Sequence, residues 1–229
     1  MLSGKRNRIV RLKTIIKILE SRYGIPKKNG FREPLDETIF TILSQNTNDR
    51  NRDRAWTEIK KEYRGWTDVL AGGAERLKNT IRVAGLAEQK SRNIINILSE
   101  LEQKYHALTL KFLSRYSNED ARKFLLSFRG IGEKTAACVM LFSLGKPAFP
   151  VDTHIFRVAK RLGLFPAKST REKAHYLMEA IVPEKKYHSF HINLIKHGRM
   201  TCHPRSPECA ICPVRKYCEF FNSRNSKKG

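Results

Sequence analysis

The sequence predicts an all-α protein. Apolar residues recur at three- and four-residue intervals through most of the 229 residues, and Gly and Pro break these runs at helix-length spacing. No convincing series of strands with alternating polarity appears. A net charge of +23 and a pI near 10.1 fix the class of partner, because so large an excess of like charge opposes compaction unless a polyanion offsets it. The basic residues are spread along the chain, which favours a folded basic face over a charged arm.

The first helix is expected from about Ile9 to Tyr23, behind a basic, frayed stretch at Lys5–Arg11. Ile9, Leu12, Ile15, Ile16 and Leu19 share one face, and Gly24 and Pro26 end it. A loop from Pro26 to Pro34 leads to a second helix, from Asp36 as cap through Ile39, Ile42 and Leu43 to Asn46. The amide-rich run Ser44–Asp49 then turns the chain, with Asp49 capping the next helix. Helices follow at Asp49–Tyr63, Thr67–Ala71 and Ala74–Ala84. Gly85-Leu86-Ala87 interrupts the pattern before a long helix, Glu88–Tyr105. Asn118 caps a helix to Phe128, and another starts at about Glu133 with Cys138 as a small core residue. Later helices are expected at Ile155–Leu162, Ser169–Ile181 and Glu184–Gly198, and Asn222–Gly229 reads as an unstructured tail.

Chemistry concentrates in residues 124–154. Gly130-Ile131-Gly132 makes a tight turn between two apolar helices, and paired glycines there point to unusual backbone angles or close approach of a partner. Amides at the start of the following helix suit a phosphate, with Lys134 in the first turn. Asp152 stands eighteen positions after Lys134, behind Pro147 and Pro150, at the start of another helix. Alone it reads as an N-cap. Paired with Lys134 it suits a reaction that needs an amine nucleophile and an anion to stabilise positive charge.

The remaining cysteines are Cys202, Cys209, Cys212 and Cys218, spaced by six, two and five residues. Disulfides do not suit a chain without a secretory leader. Four thiolates in a compact loop can hold zinc, although zinc modules usually pair two Cys-x2-Cys knuckles; the wider spacing here fits a cubane cluster. His188, His191 and His197 are irregularly spaced, and surface or phosphate contact suits them better than coordination.

Arg-Gly-Ile-Gly-Glu-Lys-Thr-Ala, then Val-Asp-Thr-His-Ile-Phe-Arg-Val, then the cysteine spacing, together resemble the endonuclease III family of DNA glycosylases, over about Leu35 to Cys218. The resemblance implies two helical lobes. Residues 26–144 would form a helical barrel carrying a helix-hairpin-helix at about 118–144, and residues 1–25 with 145–229 a lobe whose 202–218 loop binds a [4Fe-4S] cluster. It further implies a base-excision repair enzyme that removes damaged bases, foremost oxidised pyrimidines, and nicks the strand. Lys134 would attack C1′ of an extruded nucleotide and Asp152 would stabilise the charge on the sugar. Asn46 would fill the gap left by that nucleotide, Leu86 would wedge the stack, and Gly130, Gly132, Thr135, His154 and Arg205 would contact DNA. Cys202, Cys209, Cys212 and Cys218 would be the cluster ligands.

The chain departs from the family at Asn46, where glutamine is frequent, at Arg129, where proline is common, and at Glu133, which lowers positive potential beside Lys134. Three other readings stand beside the main one. A monofunctional mismatch glycosylase tends to lack the lysine that this chain keeps. A non-catalytic hairpin module would need neither Asp152 nor its offset from Lys134. A metal-dependent abasic-site endonuclease lacks its carboxylate clusters here. The expected partner is double-stranded DNA with a damaged base or abasic site, bound by a monomer. With no long apolar span, leader or lipid-anchor pattern, the protein is expected in the cytoplasm, at the nucleoid.

Overall fold

The computed structural model describes residues 2–27 and 32–225, and the described residues contain helices and turns but no strands. They fall into two compact units, Phe31–Lys146 and Met1–Gly30 with Pro147–Gly229.

In the first unit, α2 (Pro34–Leu43) buries Leu35, Ile39, Ile42 and Leu43 completely. Its cap is Glu33, whose carboxylate accepts from the Leu35 and Asp36 amides, rather than the expected Asp36. Proline at the first helical position explains the shift, since it needs no amide partner there. Asp36 instead accepts from the Trp66 indole and pairs with Lys60. The helix stops at Leu43, short of Asn46. Asn48, not Asp49, caps α3 (Asp49–Glu62), accepting from Asn51. α4 (Trp66–Thr80) kinks at Gly73, whose φ of 70° marks the boundary between the two helices expected at Thr67–Ala71 and Ala74–Ala84, and the end of the second becomes a 3-10 turn at Arg82–Ala84. α5 (Ala87–Tyr105) packs along α4 and against α2, burying Ile94, Ile97, Leu98 and Leu101. α6 (Asn118–Ser127) is capped by Ser117 rather than Asn118, and α7 (Glu133–Phe142) packs on α2 and α6. α7 is apolar nearly all round, with Ala136, Ala137, Cys138, Val139 and Met140 buried, which makes it the central helix of this unit.

In the second unit, α1 already begins at Leu2 and runs to Tyr23. Leu12, Ile15, Ile16 and Leu19 face α10 (Tyr187–Met200), which also packs on α8 (Thr153–Arg161). Thr170 caps α9 (Arg171–Ile181) through the Lys173 amide. The tail is helical as far as it is described: α11 spans Glu219–Asn225, and residues 226–229 lie outside the described residues. Residues 28–31 of the loop expected at Pro26–Pro34 also lie outside them.

Candidate nucleic-acid interface and cluster loop

The hairpin turn joins α6 to α7. Gly130 has a φ of 91°, and a Cβ there would lie 2.3 Å from the Asn93 amide nitrogen, so both the backbone and its neighbour demand glycine. Gly132 differs. Its backbone is extended and nothing stands within 4 Å of a built Cβ, so space outside the fold is what glycine preserves. No side chain caps α7.

Behind the turn, the half-buried Lys134 donates its amine to Ser44 Oγ across 3.3 Å, and Ser44 in turn donates to the Thr41 carbonyl at 2.7 Å. Its bond is therefore to a neutral hydroxyl and not to a carboxylate. The neighbouring Glu133 turns to α6, where Arg122 donates to it at 3.3 Å with both side chains mostly buried. Arg129 is exposed. Glu37, in the first turn of α2, is buried, and burial holds its carboxyl above the usual range even though the Arg32 guanidinium, 2.7 Å away, and the charge of Lys134 pull it down.

Thr135, expected at DNA, is 2% exposed, with Oγ1 3.5 Å from Gln45 Nε2; its hydroxyl serves packing within the unit. Asn46 is exposed on the loop after α2 with φ 49°, and Leu86 is 51% exposed on the loop before α5 with φ 48°. Both present side chains outward from left-handed backbone. The unit thus holds Asn46, Leu86, Gly130, Gly132 and Lys134 on the loops and turn around α2, α5 and α7.

In the other unit, Asp152 caps α8, Oδ1 accepting from the Ile155 amide at 2.7 Å, so the structural reading of this aspartate is correct as far as it goes. His154 lies one residue into the helix beside Arg157, whose Nη2 is 3.2 Å from its Nδ1. Arg205 is exposed.

Cys202, Cys209, Cys212 and Cys218 line one cavity with Val158 and Leu162. Burial pushes the Cys212 thiol up to about 11 and raises Cys218 as well, so ionising them calls for a compensating positive charge, which a bound metal centre would supply. Arg161 donates to Cys202 Sγ at 3.2 Å and to the His203 and Pro204 carbonyls, pinning the start of the loop. Among the described residues, no three His, Cys, Asp or Glu side chains are grouped to hold one metal ion. Four thiols lining one cavity fit the polynuclear cluster that their spacing suggests. The histidines correct the expectation of surface contact: His191 and His197 are buried, His191 against the Pro150 carbonyl and His197 3.0 Å from Tyr23 Oη with Nε2 3.7 Å from Cys212 Sγ. Burial lowers His197 to about 4 and keeps it neutral.

Sequence reasoning missed Gln45, Lys90, Asn93 and Arg161, and placed His197 at the surface. Lys90 and Asn93 carried a signal, for they fall on the apolar stripe of α5 one helical turn before Ile94 and Ile97.

Comparison with known families decides the matter. Residues 39–184 match the HhH-GPD superfamily of base excision DNA repair proteins, and residues 202–218 match the iron–sulfur binding domain of endonuclease III. The chain belongs to the endonuclease III family. It is 30% identical to endonuclease III of Thermotoga maritima over 87% of this chain and 89% of that one. With endonuclease III of Rickettsia felis it shares 35% over 81% and 82%. A putative DNA glycosylase of Arabidopsis thaliana is 36% identical over 72% of this chain, which spans only 57% of that protein. Among solved structures, a non-covalent endonuclease III–DNA complex superposes with a TM-score of 0.81 at 26% identity, over 95% of this chain and 98% of that one. A trapped endonuclease III–DNA covalent intermediate matches equally, at 27% identity. This endonuclease III relative is a DNA glycosylase with abasic-site lyase activity; it binds DNA and carries a [4Fe-4S] cluster. No helix among the described residues is long and apolar enough to cross a membrane.

Proposed function

We propose that the enzyme excises oxidised pyrimidines and then cuts the strand by β-elimination, with Lys134 as nucleophile. The observation that carries this reading is the placement of the Lys134 amine, directly behind the hairpin turn, half-buried and bonded to a hydroxyl rather than neutralised by a carboxylate. Nζ bonds to C1′ as the bond from C1′ to the base breaks, the electron pair leaving with the base, which takes up a proton. Opening of the sugar ring leaves an imine. Loss of a C2′ proton then expels the 3′ phosphate, and water releases the lysine. Asp152 stabilises the oxocarbenium-like charge on the sugar and handles proton transfers.

The outward-facing amides at Gly132 and the start of α7 hold a phosphate, His154 and Arg205 add contacts to the backbone, and Asn46 and Leu86 occupy the space left by the extruded nucleotide. Cys202, Cys209, Cys212 and Cys218 would hold the cluster, which when bound would order the loop that bears Arg205. Residues 26–144 act as the hairpin domain and 1–25 with 145–229 as the cluster domain. The enzyme works as a monomer, in the cytoplasm at the nucleoid. The solved relative trapped covalently on DNA supports a covalent nucleophile.

Borohydride added during reaction with abasic duplex should trap a protein–DNA adduct that Lys134→Ala removes while DNA binding persists. An adduct that survives the substitution reassigns the nucleophile. A duplex panel bearing oxidised pyrimidine, uracil, thymine mismatch or 8-oxoguanine, read with and without alkali, should rank the oxidised pyrimidine first. Iron and acid-labile sulfide should fall together in Cys212→Ala; retention of both would remove Cys212 from the ligand set.

A further inference from the structure

We propose that Lys90 is a positioning residue that locks the loops bearing Asn46 and Leu86 into one register, so that both enter the duplex as a unit. The inference rests on the reading that those two loops engage DNA. Lys90 is 1% exposed in the first turn of α5. Its amine donates to two main-chain carbonyls, Leu43 at 2.9 Å and Ala84 at 2.8 Å. Leu43 is the last residue of α2, three positions before Asn46, and Ala84 ends the 3-10 turn, two positions before Leu86. One ammonium group therefore bridges the roots of both loops.

The backbone beyond each anchor supports the assignment. Asn46 and Leu86 are two of the three non-glycine residues with positive φ among the described residues. Asparagine tolerates that conformation, but for Leu86 it is unfavourable and persists only where surrounding bonds hold it. Burying a lone amine is also a poor route to stability, because its hydration is lost and main-chain dipoles replace it only in part. An apolar side chain could fill the volume but could not join two carbonyls. One turn further along the same face of α5, Asn93 packs against Gly130, so this helix registers the hairpin as well.

The test combines two readouts on Lys90→Met. Hydrogen exchange reports the order of residues 44–48 and 85–87 against the rest of the chain. Fluorescence of 2-aminopurine placed opposite a tetrahydrofuran abasic analogue reports opening of the duplex. Exchange should accelerate at least about tenfold in the two loops and little elsewhere, and the fluorescence response should fall several-fold with affinity for intact duplex nearly unchanged. Faster exchange across the whole unit would make Lys90 a merely structural residue and overturn the proposal. So would unchanged exchange in the loops. Leu86→Ala separates the two layers of the argument: if it leaves the response intact, the reading of the loops fails, and if it lowers the response while Lys90→Met does not, the register role fails. Should Lys90→Met not fold, Lys90→Gln, which keeps a donor for one carbonyl, takes its place in both measurements.

Discussion

The side-chain amide of Gln45 donates to the carbonyl oxygen of Gly130 across 3.2 Å, joining the loop after α2 to the hairpin turn. The bond spans 85 positions of sequence. It makes the turn that leads to Lys134 part of the same rigid body as the loop that presents Asn46. Asn93 closes the other side of Gly130, so the turn is gripped by polar side chains of two elements before any DNA arrives.

The two hairpin glycines should therefore respond differently to the same change. Gly130→Ala meets both a left-handed φ and the Asn93 amide, and should cost about 2 kcal/mol or more of stability in denaturant unfolding. Gly132→Ala meets neither, gives up only the preference for glycine over alanine at the N-cap of α7, and should cost about 1 kcal/mol at most. It should nevertheless weaken duplex binding, because the methyl group projects where a phosphate would sit. Equal effects of both substitutions on stability, or tight binding by Gly132→Ala, would contradict this division.

Asp152 carries a cap and a proposed catalytic charge, and two substitutions separate them. Asparagine caps about as well as aspartate, so Asp152→Asn should retain the melting temperature while base excision falls steeply under single-turnover conditions. Asp152→Ala should lose about 1 kcal/mol of stability as well. If Asp152→Asn excises at the normal rate, the carboxylate is a cap and nothing more.

Burial lowers Lys90 to about 8, against 10.5 for a free lysine, and this sets the sign of a pH effect. Between these values the unfolded chain binds the proton that the folded chain has released, so the group's contribution to stability grows as pH rises. The other lysines titrate alike in both proteins and cancel. Wild type should gain on Lys90→Met from pH 8 towards 10.5, by up to about 3 kcal/mol. A pH-independent difference between the two would show that the amine does not titrate in this range.

The helices, the hairpin and the spaced cysteines were legible because each is local: a period, a pair of glycines, a spacing. Helix ends were displaced by one to three residues where several capping residues stood side by side, as at Glu33 and Asp36, and only the backbone path selects among them. Asp152 as a cap was readable for the same local reason. The sequence by itself determined an all-α, strongly basic chain with an amine beside a hairpin and four thiols in one loop. Only the tertiary structure decided that Lys90, which looks like one more solvated cation, is buried between two loop roots, that Gln45 rather than its neighbour holds the hairpin, and that His197 lies neutral beside Cys212. The reason is physical. A polar side chain's partner is fixed by which backbone groups folding leaves unpaired inside, and those groups come from positions far apart in the chain.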